Sequence, residues 1–188
     1  MDGANETQVL ILPGLFDSGP LHWQTLWGKA NTGFARVEQE DWATPRCADW
    51  VATLEAAVAG VPGSVLVAHS SACALIAHWA STHDPAGRVK GALLVAPSDP
   101  EGSAYPEGPT GFAPMPQRAL HFPSIVVFST DDVYVSVERA EQFADAWGSE
   151  AVNIGAAGHI NSQSGLGDWP AGFALLHRLR NGSSQALG

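Results

Sequence analysis

Three residue types that lie far apart along the chain could together attack an acyl carbon. Ser70 sits in "VLVAHSSACALIAHWA" (65–80), where an apolar run ends at His69-Ser70-Ser71 and an alanine-rich, helix-like segment follows without a break. A strand, a sharp turn and a helix at this point would lift the Ser70 hydroxyl out of a sheet edge and set it at a helix N-terminus. There, unsatisfied backbone N–H groups and the helix dipole stabilise developing negative charge. Such a turn needs small flanking residues, because strand and helix backbones approach closely. The usual G-x-S-x-G pattern reads A-x-S-x-A here, with Ala68 and Ala72 as the small residues. Ser71 is the competing hydroxyl. Because Ser70 is the residue centred between the two alanines, it takes the nucleophile position, and Ser71 supplies a backbone N–H to the oxyanion.

A serine at neutral pH needs a base, and the base needs an acid to orient it. In "SIVVFSTDDVYVS" (124–136), Asp131 and Asp132 stand just beyond an apolar run, and in "AVNIGAAGHIN" (151–161) His159 stands in a loop of small residues. Serine, aspartate and histidine thus follow one another in the order known for strand–turn–helix nucleophiles. Each element also has a plainer reading. Paired aspartates commonly cap a following helix, here from Val137, and a histidine in a glycine-rich loop is often simply exposed. His69, beside Ser70, should point away across the turn and is not the base. A base of this kind implies activity that rises with pH through the histidine range. A second oxyanion donor is expected from "LPGLFDSG" (12–19), where Gly14 permits close backbone approach and Leu15 offers its N–H. His22 and Trp23 either border the pocket beside that loop or cap and anchor the first helix.

These groups must be positioned by the elements around them. Short apolar runs at 7–12, 35–39, 64–68, 89–96, 124–129 and 151–154 read as strands, several apolar at consecutive positions, as in strands covered on both faces. Helical patterns fall near 22–30, 48–59, 72–83, 137–147 and 169–180. The alternation predicts an α/β fold, a three-layer α/β/α sandwich of about six mainly parallel strands with right-handed crossovers. A strand order of 2-1-3-4-5-6 would set the first and third strands side by side, with their loops flanking one crevice at the switch point. No repeat or linker divides the chain, so 1–188 is expected to form a single domain, with "NGSSQALG" from 181 a flexible tail. The Pro- and Gly-rich segment 97–123 either walls a pocket with Tyr105, Phe112 and Met115 or packs on its own aromatics.

Composition narrows the function further. The chain has 188 residues, 45% hydrophobic and 15% charged, which suits an ordinary globular protein. Nine Lys and Arg against nineteen Asp and Glu give a net charge of −10, which argues against nucleic-acid partners and anionic membranes. No apolar run is long enough to span a bilayer, and "MDGANETQ" lacks the positive flank of a signal peptide. Two cysteines, Cys47 and Cys73, suit free thiols in a reducing cytoplasm better than a disulfide framework.

The segments "ILPGLFDSGPLHWQTLW" (11–27), "VLVAHSSACALIAHWA" (65–80), "FSTDDVYVS" (128–136) and "GAAGHIN" (155–161), with "EQEDWATPRCADW" (38–50), give the chain a broader likeness. Over nearly its whole length it resembles the small serine hydrolases of the retinoblastoma-binding-protein-nine/YdeN-like family, reduced α/β-hydrolases without a large lid domain. The resemblance implies Ser70, Asp132 and His159 as a catalytic triad, hydrolysis of esters or related acyl bonds, and no cofactor. The choice of Asp132 over Asp131 comes from the resemblance, through the Asp132-to-Val135 spacing. Alanines at 68 and 72 and Val133 after the acid depart from the commoner glycines and proline. The L-x-C-x-E docking sequence of retinoblastoma-protein partners is absent, so that partnership does not carry over.

The expected function is therefore a serine hydrolase that cleaves small acyl esters or amides through an acyl-enzyme, with Leu15 and Ser71 as oxyanion donors and Gly14, His22 and Trp23 near the pocket. The alternative is a protein that keeps the fold as a binding module without catalysis. A metal site built from His69, His78, His83 and His159 fits no familiar ligand spacing. Dinucleotide binding lacks a glycine-rich phosphate loop after the first strand.

Overall fold

The structure, a computed structural model, describes residues 7–182. The proposed tail from 181 therefore falls outside the described residues except for Asn181 and Gly182. Asn181 closes the last helix by donating its N–H to the His177 carbonyl.

Six strands form one sheet: β1 (Val9–Leu12), β2 (Phe34–Arg36), β3 (Ser64–His69), β4 (Val89–Val95), β5 (Ser124–Phe128) and β6 (Glu150–Asn153). Their order is β2-β1-β3-β4-β5-β6, and every neighbouring pair is parallel. Among the described residues five α-helices, α1 (Trp23–Ala30), α2 (Cys47–Gly60), α3 (Ser71–Thr82), α4 (Val137–Trp147) and α5 (Pro170–Arg180), and a short 3₁₀ helix at Ser162–Ser164 accompany the sheet. Among the described residues no large lid interrupts them. The second strand is shorter than the 35–39 run suggests. After Arg36, Val37 gives its N–H to the Ile11 carbonyl and the chain then leaves the sheet.

Side-chain alternation divides the interior into two layers. Leu10, Leu12, Leu66, Ala68, Ala92, Leu94, Val126 and Phe128 face one layer, which is filled by Trp50 and Leu54 of α2, Trp79 of α3 and Phe143 of α4. Val9, Ile11, Val65, Val67, Leu93, Val95, Ile125 and Val127 face the other, against Trp23 and Trp27 of α1 and Leu176 of α5. Residues on both faces are therefore buried, which explains why the central strands are apolar without a break. Helix ends follow local chemistry. Ser136 caps α4 by accepting the Arg139 N–H at 3.2 Å, and Gly148 ends it in the left-handed conformation that glycine adopts at least cost.

The segment 97–123 holds no helix or strand. Phe112, Met115, Leu120 and Phe122 turn inward and are buried, and Tyr105 packs against the same layer. The loop is thus pinned by its own apolar side chains. Tyr105, Phe112 and Met115 do not border the pocket described below, whereas Ser98 and Pro106 from the same segment do.

Among the described residues no helix is long and apolar enough to cross a membrane. Cys47 and Cys73 are free and buried, and burial raises both thiols, Cys47 to about 12. Neither is a ready nucleophile.

Candidate active site

At the carboxyl end of β3 the chain turns so tightly that Ser70 takes φ +60° and ψ −126°. This is a strained backbone for a residue with a side chain, and such strain persists only where the surroundings enforce it. Both neighbouring elements do so. The Ser70 N–H bonds the Val95 carbonyl at 2.9 Å, and Ala68 and Ala72, fully buried, leave no side-chain bulk between β3 and α3. Gly14, after β1, lies against the turn. A Cβ built there would sit 2.8 Å from Ser70 Cβ and 2.9 Å from the His69 carbonyl oxygen, closer than real Cβ contacts come.

Three distant residues meet here. Ser70 Oγ lies 2.9 Å from His159 Nε2, and His159 Nδ1 lies 2.8 Å from Asp132 Oδ2. The Asp132 side chain has no exposure and that of His159 has 10%. Asp132 Oδ1 accepts the Tyr134 N–H at 2.9 Å, so the carboxylate is held on both oxygens. With Nδ1–H donated to Asp132, Nε2 is left free to accept the Ser70 proton.

Asp131 faces elsewhere. Its Oδ1 accepts from Ser129 Oγ and from the Gly158 N–H, each at 2.7 Å, and these bonds lower its pKa. It therefore clasps the loop that carries His159. Ser129 Oγ adds a bond from the Ala157 N–H at 2.9 Å. His69 donates Nε2–H to the His159 carbonyl at 2.9 Å, and Trp23 donates its indole N–H to the Ile160 carbonyl at 2.8 Å. Two acceptors and two donors thus fix residues 157–160 around a histidine that must not drift.

Trp23 is not a pocket residue. Its ring is 1% exposed and packs against Trp27 and Trp169. The bond to Ile160 makes it a brace behind the histidine loop, the anchoring reading of the two. His22 does both jobs. It borders the pocket, and its Nδ1 accepts the Gln24 N–H at 3.2 Å to cap α1. Burial, helped by nearby His159, lowers its pKa to about 4, and burial likewise lowers His69, so both rings stay neutral near pH 7.

A pocket of about 200 Å³ opens over Ser70 Oγ, bordered by Leu15, His22, Ser71, Tyr134, His159 and Ser98 among others. Ser71 is the first residue of α3, so its N–H has no acceptor within the helix. Leu15 follows Gly14 in a loop tied down by bonds from the Phe16 N–H to Trp42 O at 2.8 Å and from the Asp17 N–H to Gly14 O at 3.2 Å. Arg36 of β2 pairs with Asp17 on the same loop. Gln24 was not singled out from the sequence, yet it is fully buried and donates to the carbonyls of Leu12 (3.0 Å) and Val67 (3.1 Å), joining β1 to β3 below the pocket. His78 and His83 lie outside the pocket, bonded to the Phe112 carbonyl and stacked on Trp79 respectively.

The close approach at Gly14 makes a prediction. Gly14→Ala should push the loop or the turn aside, lower stability by about 1–3 kcal/mol and reduce hydrolysis disproportionately. Thermal melts read beside ester turnover test this, and full activity at unchanged stability would refute the contact.

The family model for "Serine hydrolase" matches residues 9–178. A solved YdeN-like hydrolase from Pectobacterium atrosepticum is 28% identical over 95% of this chain and 92% of its own, with TM-score 0.81. The ydeN gene product of Bacillus subtilis is 19% identical over 93% and 99%, with TM-score 0.68, and shares the fold. The carboxylesterase CesB of Bacillus subtilis shares it too, at 14% identity over 95% and 84%, with TM-score 0.61. No curated protein sequence matches. With the family model covering most of its length, the chain belongs to the serine hydrolase family, as a small YdeN-like member.

Proposed function

We propose that this hydrolase cleaves carboxylic esters of small acyl groups by a two-step acyl transfer, with Ser70, His159 and Asp132 as its catalytic triad. In the first step Ser70 Oγ attacks the substrate carbonyl while its proton passes to His159 Nε2. Asp132 holds the ring by Nδ1 and stabilises the imidazolium. The N–H groups of Leu15 and Ser71 receive the oxyanion, each worth about 10²–10³-fold in rate. The imidazolium proton then goes to the departing alcohol. Water enters, gives a proton to His159 and displaces Ser70, which recovers its own. No metal or organic cofactor takes part. The single observation that carries the reading is the unbroken hydrogen-bonded run from Asp132 through His159 to Ser70.

The pocket supports a small substrate. The space over Ser70 amounts to about 200 Å³. A short acyl group with part of its alcohol fits that space. Among solved structures of the same fold, CesB is named a carboxylesterase and a protein of Paleococcus ferrophilus a monoacylglycerol lipase, which supports reading the substrate as an ester.

The test is covalent. A fluorophosphonate probe should label the native protein on one serine, mapped to Ser70, and Ser70→Ala should abolish labelling and ester turnover together. A protein that takes no label, or keeps it in Ser70→Ala, is a binding module on a hydrolase scaffold instead.

A further inference from the structure

The Ser70 hydroxyl has a second partner that the triad does not use. Ser98 Oγ lies 2.8 Å from Ser70 Oγ, and Ser98 is 2% exposed. The contact is built by its surroundings. Just past β4, Ala96 takes φ +48° while its N–H bonds the Val127 carbonyl at 2.8 Å, and Pro97 then delivers Ser98 to the pocket. The next residue, Asp99, donates its N–H to the Tyr134 carbonyl at 3.0 Å, and its carboxylate accepts the Nε–H of Arg139 of α4 at 2.8 Å. Arg139 also bonds Glu101 at 2.6 Å. A strained turn on one side and a two-carboxylate clamp on the other hold Ser98 where it is.

The tautomer that the Asp132–His159 bond imposes sets the direction of the bond. With Nδ1–H donated to Asp132, Ser70 donates its only hydroxyl hydrogen to His159 Nε2, so the hydrogen between the two serines belongs to Ser98. Ser70 Oγ therefore gives one hydrogen bond and receives another.

We propose that Ser98 is a catalytic hydroxyl that acts mainly in release of the acyl group, by donating a hydrogen bond to Ser70 Oγ as that oxygen becomes the leaving group. The inference rests on the esterase reading above. In deacylation, a water oxygen bonds the acyl carbon and its proton moves to His159 Nε2. The C–Oγ bond then breaks, its electron pair stays on Ser70 Oγ, and the His159 proton joins that oxygen. The products are a carboxylic acid and the Ser70 hydroxyl. Ser98 keeps its own proton throughout.

The preference for one step follows from which ground state the donor already serves. Before acylation Ser70 Oγ is a hydroxyl oxygen, a good acceptor, so the Ser98 bond is made before the barrier is climbed. In the acyl-enzyme the same atom is an ester oxygen, a poor acceptor, and the bond strengthens only as negative charge returns to it. Only interactions that gain strength between ground and transition state speed a step. The gain is larger on the way out.

The experiment compares wild type, Ser98→Ala and Ser98→Thr on p-nitrophenyl acetate. Acylation is read in single turnover with enzyme in excess, and deacylation from the decay of acetylated Ser70 by intact mass. Ser98→Ala should slow deacylation about 3- to 10-fold, the worth of one net hydrogen bond, with acylation and fluorophosphonate labelling changed less than about 2-fold. Ser98→Thr, which keeps the hydroxyl, should restore release. Equal slowing of both steps marks a merely structural residue and overturns the proposal, as does an unchanged rate of release. If wild type labels at Ser70 but Ser98→Ala shows no asymmetry, this inference alone fails. A wild type that neither labels nor acetylates removes the esterase reading and this one with it.

Discussion

Asp132→Asn is expected to lower ester turnover about 10⁴-fold with little change in KM, whereas Asp131→Asn costs less than about 10-fold. The geometry gives the reason. Asp132 Oδ1 accepts the Tyr134 N–H at 2.9 Å, so an asparagine would keep its carbonyl oxygen there and turn its NH₂ toward His159 Nδ1. That amide is a donor, and Nδ1 would have to become an acceptor to meet it. The imidazole hydrogen would then sit on Nε2, facing Ser70 Oγ, and the ring could no longer take the serine proton. Nothing need move for this failure to occur. Asp131 differs because its bonds from Ser129 Oγ and the Gly158 N–H converge on Oδ1. An asparagine carbonyl can accept both, so the loop stays clasped. Steady-state kinetics on one ester, with a thermal melt of each variant, decide the matter. A larger loss in Asp131→Asn would move the acid by one position.

The same pair shows how far sequence alone reaches. That an aspartate after β5 should meet a histidine after β6 and a serine after β3 follows from parallel strands whose carboxyl ends share one rim. The apolar runs mark those strands, and the small residues around Ser70 mark the turn. Which of two adjacent aspartates faces the histidine is a matter of rotation within a loop, and no periodicity encodes it. In the sequence it rests on resemblance, and in the structure it rests on where Tyr134 and Gly158 direct their N–H groups. Trp23 illustrates a different limit. An aromatic residue beside a loop residue reads equally well as a pocket wall or as a brace. Only the position of Ile160, which is 137 residues away, shows where the indole N–H goes. Ser98 left no signal because "APSDP" has no periodic pattern, and its contact with Ser70 depends on how β4 ends. Gln24 lies in a helical pattern that predicts a surface polar residue. It is buried because the ends of β1 and β3 offer two carbonyls to its amide.

Stability should fall steeply as the medium is acidified from pH 6.5 toward 4, before most carboxylates titrate. His22 carries the effect. Its pKa drops from 6.5 to about 4 in the folded protein because a 4% exposed ring cannot readily hold charge, and because His159 stands near. In the unfolded chain the same ring titrates near 6.5. Between those two values the unfolded state binds a proton that the folded state refuses, so stability rises with pH across the window and is lost as pH falls through it. A difference of this size is worth about 3 kcal/mol by the lower end. His69, buried between His22 and His159 and also lowered, adds to it in the same direction. Urea unfolding at pH 7.5 and 4.5 measures the fall. His22→Asn is the informative variant, since asparagine is a good helix cap and can replace Nδ1 as acceptor for the Gln24 N–H. It should lose a large share of the pH dependence while keeping α1. An unchanged dependence in that variant would mean that the folded protein takes up a proton at His22 as readily as the unfolded chain does, and that burial does not lower its pKa.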